Sequence, residues 1–186
     1  RYIRRQRQMC IRDRNQLKQL VFLQNINFEE KQVALIDSAS AAGVMGLKVY
    51  KTLGLTSRDL NGNRIAVNDL RLDPIWKACG DNNIPVLIHS AEPESFWKPK
   101  DKFNERWLEL RQKPNRYRDP AINPSFEEVL AEQHDIFKKH PNTTFINAHL
   151  GWMGNDLDRL ETHLDTYPNV CLLYTSDAAD ECSGVV

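Results

Sequence analysis

The sequence lacks the features that mark several large classes of protein. No run of apolar residues approaches the ~20 that a helix needs to span a bilayer. Neither a G-x-G-x-x-G fingerprint nor a P-loop is present, although nucleotide-binding doubly wound sheets place such a loop after their first strand. Because the formal net charge is +0, the composition indicates no nucleic-acid partner and no membrane partner.

Both ends of the chain resemble translated sequencing-adapter DNA. Residues 4–13 (RRQRQMCIRD) match one reading of a transposase adapter, and residues 171–181 (CLLYTSDAADE) match its reverse complement. Two long matches to one oligonucleotide, in opposite senses, are not expected by chance. We therefore predict that residues 1–14 and 171–186 are adapter-derived and non-native, and that residues 15–170 are an internal fragment of a longer protein.

Cysteine becomes scarce once these end segments are set aside. Of the four cysteines, only Cys79 lies within residues 15–170, which argues against a disulfide framework or a cysteine metal site. A lone cysteine in a helical run is typical of packing rather than of a nucleophile. With the native amino terminus outside the fragment, the sequence leaves the compartment and any signal peptide open, and a cytoplasmic location is favoured. A small-molecule substrate is expected, and a homo-oligomer is compatible with the composition.

What the chain does contain is an alternation of short apolar runs and helical segments. Strands are expected at residues 21–26, 47–50, 85–89 and 144–149, with another beginning at 169, and helices at 29–42, 72–81, 104–110, 126–139 and 155–164. This order is typical of a parallel α/β sheet with right-handed crossovers. We predict an incomplete (β/α)8 TIM barrel with about five parallel strands, and a doubly wound sheet is the alternative. The long segment 90–124 is expected to form a lid.

Two of the predicted strands end in histidine. His89 follows residues 85–88, and His149 follows residues 144–148. In a closed barrel the carboxyl ends of the strands share the face that holds the active site. Two imidazoles there could hold a metal or transfer protons near neutral pH. For each of them the alternative is a core histidine that bonds to a backbone carbonyl.

Five stretches of the sequence resemble the amidohydrolase-related family of metal-dependent barrel enzymes. They are residues 46–51 (GLKVYK), 71–76 (RLDPIW), 84–89 (IPVLIH), 104–107 (NERW) and 140–151 (HPNTTFINAHLG). The family includes hydrolases and nonoxidative decarboxylases. By this resemblance the surviving strands correspond to the third through seventh of the barrel.

The resemblance gives the two histidines separate roles. His89 matches the fifth-strand histidine, which ligates the metal. His149 matches the sixth-strand histidine, which is a ligand in binuclear relatives and more often a general acid/base or substrate-polarising residue in mononuclear ones. The implied cofactor is a divalent metal ion, with zinc favoured and manganese or iron as alternatives. The family's remaining ligands, on its first and eighth strands, fall outside this fragment.

Four further residues are candidate substrate-binding groups. Lys48 lies in a predicted buried strand, where an unpaired lysine is costly. It could bind an anionic substrate or, by the resemblance, be carboxylated and bridge two metals, and a salt bridge carries equal weight. Trp97, Arg106 and Trp152 are expected to shape the pocket, although ordinary packing is the stronger expectation for the two tryptophans. For Glu92 a turn role is expected.

The remaining polar candidates are assigned to solvent. We expect Lys51 at the rim of the site, and His134, His140 and His163 on polar helix faces or helix ends. The activity that the resemblance implies is metal-dependent hydrolysis, or nonoxidative decarboxylation, of a small polar substrate. One alternative is a Schiff-base lyase with Lys48 as nucleophile. Another is a chimeric fragment without activity, for which open strand edges predict aggregation or marginal folding.

Overall fold

A computed structural model describes residues 20–23 and 31–173, and it contains one sheet of five parallel strands. The strands are β1 (Leu20–Leu23), β2 (Gly46–Val49), β3 (Val86–Ile88), β4 (Phe145–Ala148) and β5 (Val170–Leu173). They pair in the order β1-β2-β3-β4-β5, so each strand neighbours the next one along the chain. The predicted α/β fold with about five parallel strands is confirmed, and the arrangement is a partial barrel.

Besides a four-residue helical turn at Thr52–Leu55, the described residues contain five helices that connect or follow these strands. They are α1 (Lys31–Ala41), α2 (Asp73–Asp81), α3 (Trp107–Gln112), α4 (Phe126–Lys139) and α5 (Leu157–Thr166). The sequence signals that start a helix are visible at α4, where Ser125 Oγ accepts from the backbone N–H of Glu128 and the Glu128 side chain accepts from the Ser125 N–H. This reciprocal capping box satisfies two donors that an uncapped helix start leaves unbonded.

The main core lies between the sheet and the outer helices. Strands β2 and β3 are buried along their whole length, as expected for parallel strands that are covered on both faces. Trp76 of α2 is 0% exposed, and its indole nitrogen donates to the carbonyl of Val67 over 3.2 Å. Cys79 on the same helix is buried, which raises its thiol pKa to about 12, so it is a packing residue as predicted.

The fifth strand runs into the segment that we predict to be adapter-derived. β5 covers Val170–Leu173, and Cys171 is buried in it. The adapter origin of residues 1–14 and 171–186 stays a prediction, and residues 1–14 and 174–186 lie outside the described part of the chain. Within residues 20–23 and 31–173, no helical segment has the length and apolar character that a bilayer crossing requires.

Segment 90–124 is well structured. It contains two short 3-10 turns and α3. Buried Asn104 donates to the carbonyls of Ser95 at 2.8 Å and Pro99 at 3.0 Å, which closes the chain on itself. The indole nitrogen of Trp97 donates to the Pro124 carbonyl at 2.7 Å and so ties the start of the segment to its end.

The prediction that His134, His140 and His163 are solvated is wrong. His163 is only 4% exposed and lies 4.7 Å, ring centre to ring centre, from half-buried His134. Nε2 of His140 lies 3.0 Å from a carboxylate oxygen of Asp73. The physical reason for the error at His163 is its spacing with Leu160 and Leu164, which puts it on the apolar face of α5.

We expect the burial of His163 to make the fold acid-sensitive. Burial lowers the pKa of His163 from 6.5 to about 4, and nearby His134 and Arg159 act in the same direction. Between these two pKa values the unfolded chain takes up a proton that the folded chain does not. The free energy of unfolding is therefore highest above pH 6.5 and falls as the pH drops toward 4. The expected loss is about 3 kcal/mol at the lower end of this window.

Urea unfolding at about pH 7 and at about pH 4.5 measures this loss. Burial also lowers the pKa of His134, which adds to the fall and leaves part of it in any His163 variant. His163→Leu should therefore unfold with a shallower dependence on pH than the parent chain. Equal slopes in the two proteins would contradict the assignment.

Candidate active site

Two neighbouring strands carry His89 and His149 to the same edge of the sheet. β3 and β4 pair in parallel with Ile88 opposite Asn147, so both histidines lie at the carboxyl ends of the strands. The backbone N–H of His89 donates to the Val49 carbonyl at 3.1 Å, which fixes its position beside β2. The ring centres of the two histidines are 4.6 Å apart, with an interplanar angle of 72°. The prediction that these residues come together is confirmed.

Two aromatic rings lie close to the two histidines. The Trp152 ring lies 4.5 Å from the His149 ring and 5.3 Å from the His89 ring, measured between centroids. Tyr50, directly after β2, lies 5.9 Å from His89 in an edge-on arrangement. The imidazoles are thus held between flat, weakly polar surfaces that limit their rotation.

The backbone that carries His149 and Trp152 is left-handed. His149, Leu150, Gly151 and Trp152 have φ values of 54°, 56°, 63° and 63°. Such consecutive values are costly for residues other than glycine, and strained backbone of this kind clusters at functional sites. At Gly151 a Cβ atom would lie 2.8 Å from Nδ2 of Asn147, so a side chain is excluded there as well.

A buried chain of amide and hydroxyl groups connects the two histidine-bearing strand ends. The side-chain nitrogen of Gln133 on α4 donates to Oγ of Ser90, the residue after His89. Nδ2 of Asn147, two residues before His149, donates to Oε1 of Gln133 at 2.8 Å. All three side chains are fully buried. Sequence reasoning missed them, and the available signal was a glutamine on the apolar face of an amphipathic helix.

A cavity of about 480 Å³ opens in front of the histidines. His89, His149 and Trp152 line it, together with residues of segment 90–124 that include Arg106. The segment therefore borders the site, and its role as a lid stays a prediction. Trp97 and Lys48 are not among the lining residues of this cavity. Trp97 packs on Phe126 with ring centres 5.4 Å apart, which fits the packing alternative. Lys48 is only 2% exposed, within β2.

Glu92 is a functional candidate that sequence reasoning undervalued. It is 4% exposed and lines the cavity, where it is ion-paired rather than placed in a simple turn. Its Oε1 atom lies 2.9 Å from Nζ of Lys51 and 3.2 Å from NH2 of Arg118. Lys51 is partly exposed and lines the same cavity, as expected of a rim residue.

The two histidines fit part of a metal site. Imidazole binds zinc through nitrogen at about 2.0–2.1 Å, which places each ring centre roughly 3 Å from the ion. A centroid separation of 4.6 Å is therefore compatible with a shared ion. Among residues 20–23 and 31–173, no three His, Cys, Asp or Glu side chains are grouped so that they could hold a metal. The described residues thus offer two candidate ligands, and a complete centre needs others.

Comparison with known protein families places the chain. The sequence model of the family described as amidohydrolase matches residues 1–183. The chain belongs to the amidohydrolase family. The matched span includes residues 1–14 and 171–183 of the two end segments, and their adapter origin stays a prediction. A comparison of this amidohydrolase-family chain with curated proteins finds no match.

Several solved structures resemble this member of the amidohydrolase family. An uncharacterized TIM-barrel protein from Bordetella bronchiseptica shares 14% identity at a TM-score of 0.47, over 82% of this chain and 41% of that one. Dihydroorotase from Campylobacter jejuni shares 16% identity at a TM-score of 0.47, and the alignment covers 89% of this chain and 38% of the dihydroorotase. An amidohydrolase from Mycobacterium avium subsp. paratuberculosis shares 17% identity at a TM-score of 0.45, and the alignment covers 88% of this chain and 44% of that protein. The chain spans about two fifths of the length of these structures.

Proposed function

We propose that this chain is part of a metal-dependent hydrolase that cleaves an amide-type bond in a small polar substrate. The observation that carries the proposal is the pair His89 and His149, 4.6 Å apart at the carboxyl ends of adjacent parallel strands and facing one cavity. Membership of the amidohydrolase family supports the reaction type. The cavity volume of about 480 Å³ suits a small molecule.

In this proposal the two histidines have different roles, metal binding for His89 and proton transfer for His149. His89, buried at the end of β3, would hold a divalent metal, for which zinc is the first choice and manganese or iron the alternatives. When bound, such an ion supplies a Lewis acid that acidifies water and polarises a carbonyl group. His149 accepts the proton released when water adds to the acyl carbon. It returns that proton to the amine as the C–N bond breaks, which leaves a carboxylic acid and an amine.

The described geometry favours this proposal over a Schiff-base lyase. Such a lyase would need the Lys48 amine to meet a carbonyl substrate, but Lys48 is buried in β2 and is not among the lining residues of the cavity. Nonoxidative decarboxylation uses the same histidines and remains the alternative reaction. We further propose that the chain is a piece of a longer enzyme, so that the 186-residue chain alone is inactive.

The test uses the full-length protein, recovered by sequencing the source DNA across both ends of this chain. We expect the zinc-loaded protein to release 4-nitroaniline from 4-nitroacetanilide or from its carboxylate-bearing analogue, 4-nitrosuccinanilate. Dialysis against dipicolinate should remove at least about nine tenths of the activity, and added zinc, manganese or iron(II) should restore it. Activity that survives metal removal would contradict metal dependence. Failure to cleave either anilide with any of the three metals would contradict the hydrolase assignment.

A further inference from the structure

The cavity contains a buried carboxylate that is shared by two cations. Glu92 Oε1 is 2.9 Å from the ammonium nitrogen of Lys51 and 3.2 Å from the guanidinium of Arg118. The side chains of Lys51, Glu92 and Arg118 are 20%, 5% and 10% exposed. This trio links the end of β2 to both ends of segment 90–124.

The trio carries one more positive charge than negative charge. A surplus charge at such low exposure is unfavourable unless an anion compensates it, because little water reaches the group. Of the two cations, Lys51 lines the cavity, whereas Arg118 is not among the lining residues. The surplus positive charge therefore faces the cavity through the Lys51 ammonium group.

The other charges around the cavity are balanced or more exposed. Glu94 pairs with Lys98 at 3.0 Å, and both side chains are exposed. Glu105 accepts a hydrogen bond from Ser95. Arg106 and Arg116 both contact Glu109, and the side chains of the two arginines are 50% and 35% exposed. The positive surplus that is best shielded from water is thus the one at Lys51.

We infer that Lys51, positioned by Glu92 and Arg118, binds a carboxylate group of the substrate. The inference rests on the proposed function and names its substrate class. The substrate would be an amide that carries a carboxylate group at a distance from the bond that is cleaved. The location suits this role, since Lys51 follows Tyr50, whose ring contacts His89, and both residues line the cavity with His149. The carboxylate end would bind at Lys51 while the scissile bond lies at the histidines.

The experiment compares kcat/KM for 4-nitrosuccinanilate and 4-nitroacetanilide in the full-length, metal-loaded protein. The two anilides differ in the carboxylate end, so their ratio isolates its recognition. Lys51→Met should lower the ratio by about 10- to 100-fold, the range for the loss of a charged hydrogen bond. Lys77→Met is the matched control, because Lys77 is an exposed lysine paired with Asp81 on α2, and its ratio should not change.

Two further measurements separate the possible failures. Lys51→Arg keeps the charge and should retain most of the preference for the succinyl anilide, which excludes misfolding as the cause of the loss. Succinate binding to the metal-free protein, measured by calorimetry, should weaken in Lys51→Met and not in Lys77→Met. Equal ratios in Lys51→Met and parent would overturn the carboxylate site while the hydrolase stands. Succinate binding that depends on Lys51, without cleavage of either anilide, would support the site and contradict the hydrolase.

Discussion

Replacing His149 with glutamine should lower kcat of the full-length enzyme by about 10²- to 10⁴-fold, the usual contribution of a general acid or base. Glutamine keeps a polar side chain of similar reach but does not take up a proton near neutral pH. Glutamine carries a Cβ atom as histidine does, so the positive φ of residue 149 should cost the two residues a similar backbone strain. The variant should therefore lose proton transfer more than it loses fold.

The pH profile distinguishes this role from a structural one. If His149 transfers the proton, the pH dependence of kcat should differ between His149→Gln and the parent enzyme. His140→Gln is the control, because His140 lies at the end of α4 beside Asp73 and outside the cavity lining. A His149→Gln enzyme with unchanged kcat and an unchanged profile would show that the proton moves through another group.

The positions of the two candidate active-site histidines follow from local sequence signals. The strands end where β-branched and aromatic runs end, so His89 and His149 are placed correctly by pattern alone. Helix α4 begins and ends at the predicted residues. Its start is marked by the capping box of Ser125 and Glu128, which precedes an amphipathic run. These features depend on residues a few positions apart, which is the range over which sequence patterns are informative.

The contacts that hold the site together join residues far apart in the chain. Gln133 meets Ser90 across 43 positions, and Glu92 meets Arg118 across 26. Neither spacing has a periodicity that a pattern could detect. The sequence also does not predict the left-handed turn at His149, since only Gly151 among its four residues is typical of positive φ. Tertiary packing, rather than local propensity, sets these features.

The burial of His163 could have been predicted from the sequence, although its polar side chain pointed to the opposite conclusion. Its spacing with Leu160 and Leu164 places it on the buried face of α5, whereas its polar character suggested solvent. Gln133 follows the same logic on α4, where it shares a face with Val129 and Leu130. A polar residue at an apolar helical position is better read as buried, with its polar atoms in need of an explanation.

Replacing Trp76 with alanine should have the largest effect on the fold. Trp76 is 0% exposed, packs on Phe145 of β4 with ring centres 6.4 Å apart, and donates its indole N–H to Val67. Alanine would leave a large cavity between α2 and the sheet and an unsatisfied carbonyl at Val67. Truncations of this kind cost about 3–5 kcal/mol. Because whole domains are stable by only about 5–15 kcal/mol, most of the stability of a partial barrel would be lost.

Urea unfolding of the 186-residue chain, followed by far-ultraviolet circular dichroism, measures this loss without relying on tryptophan emission. Phe103→Ala is the matched control, since Phe103 is 85% exposed in segment 90–124 and should change stability by less than about 0.5 kcal/mol. We expect Trp76→Ala to lose its cooperative transition or to shift it by several kcal/mol. A shift below about 1 kcal/mol would mean that the core around Trp76 collapses to fill the space.

The parent chain tests a second expectation, because β1 and β5 are the edges of the described sheet. Aggregation before unfolding would support the prediction that open edges limit its folding.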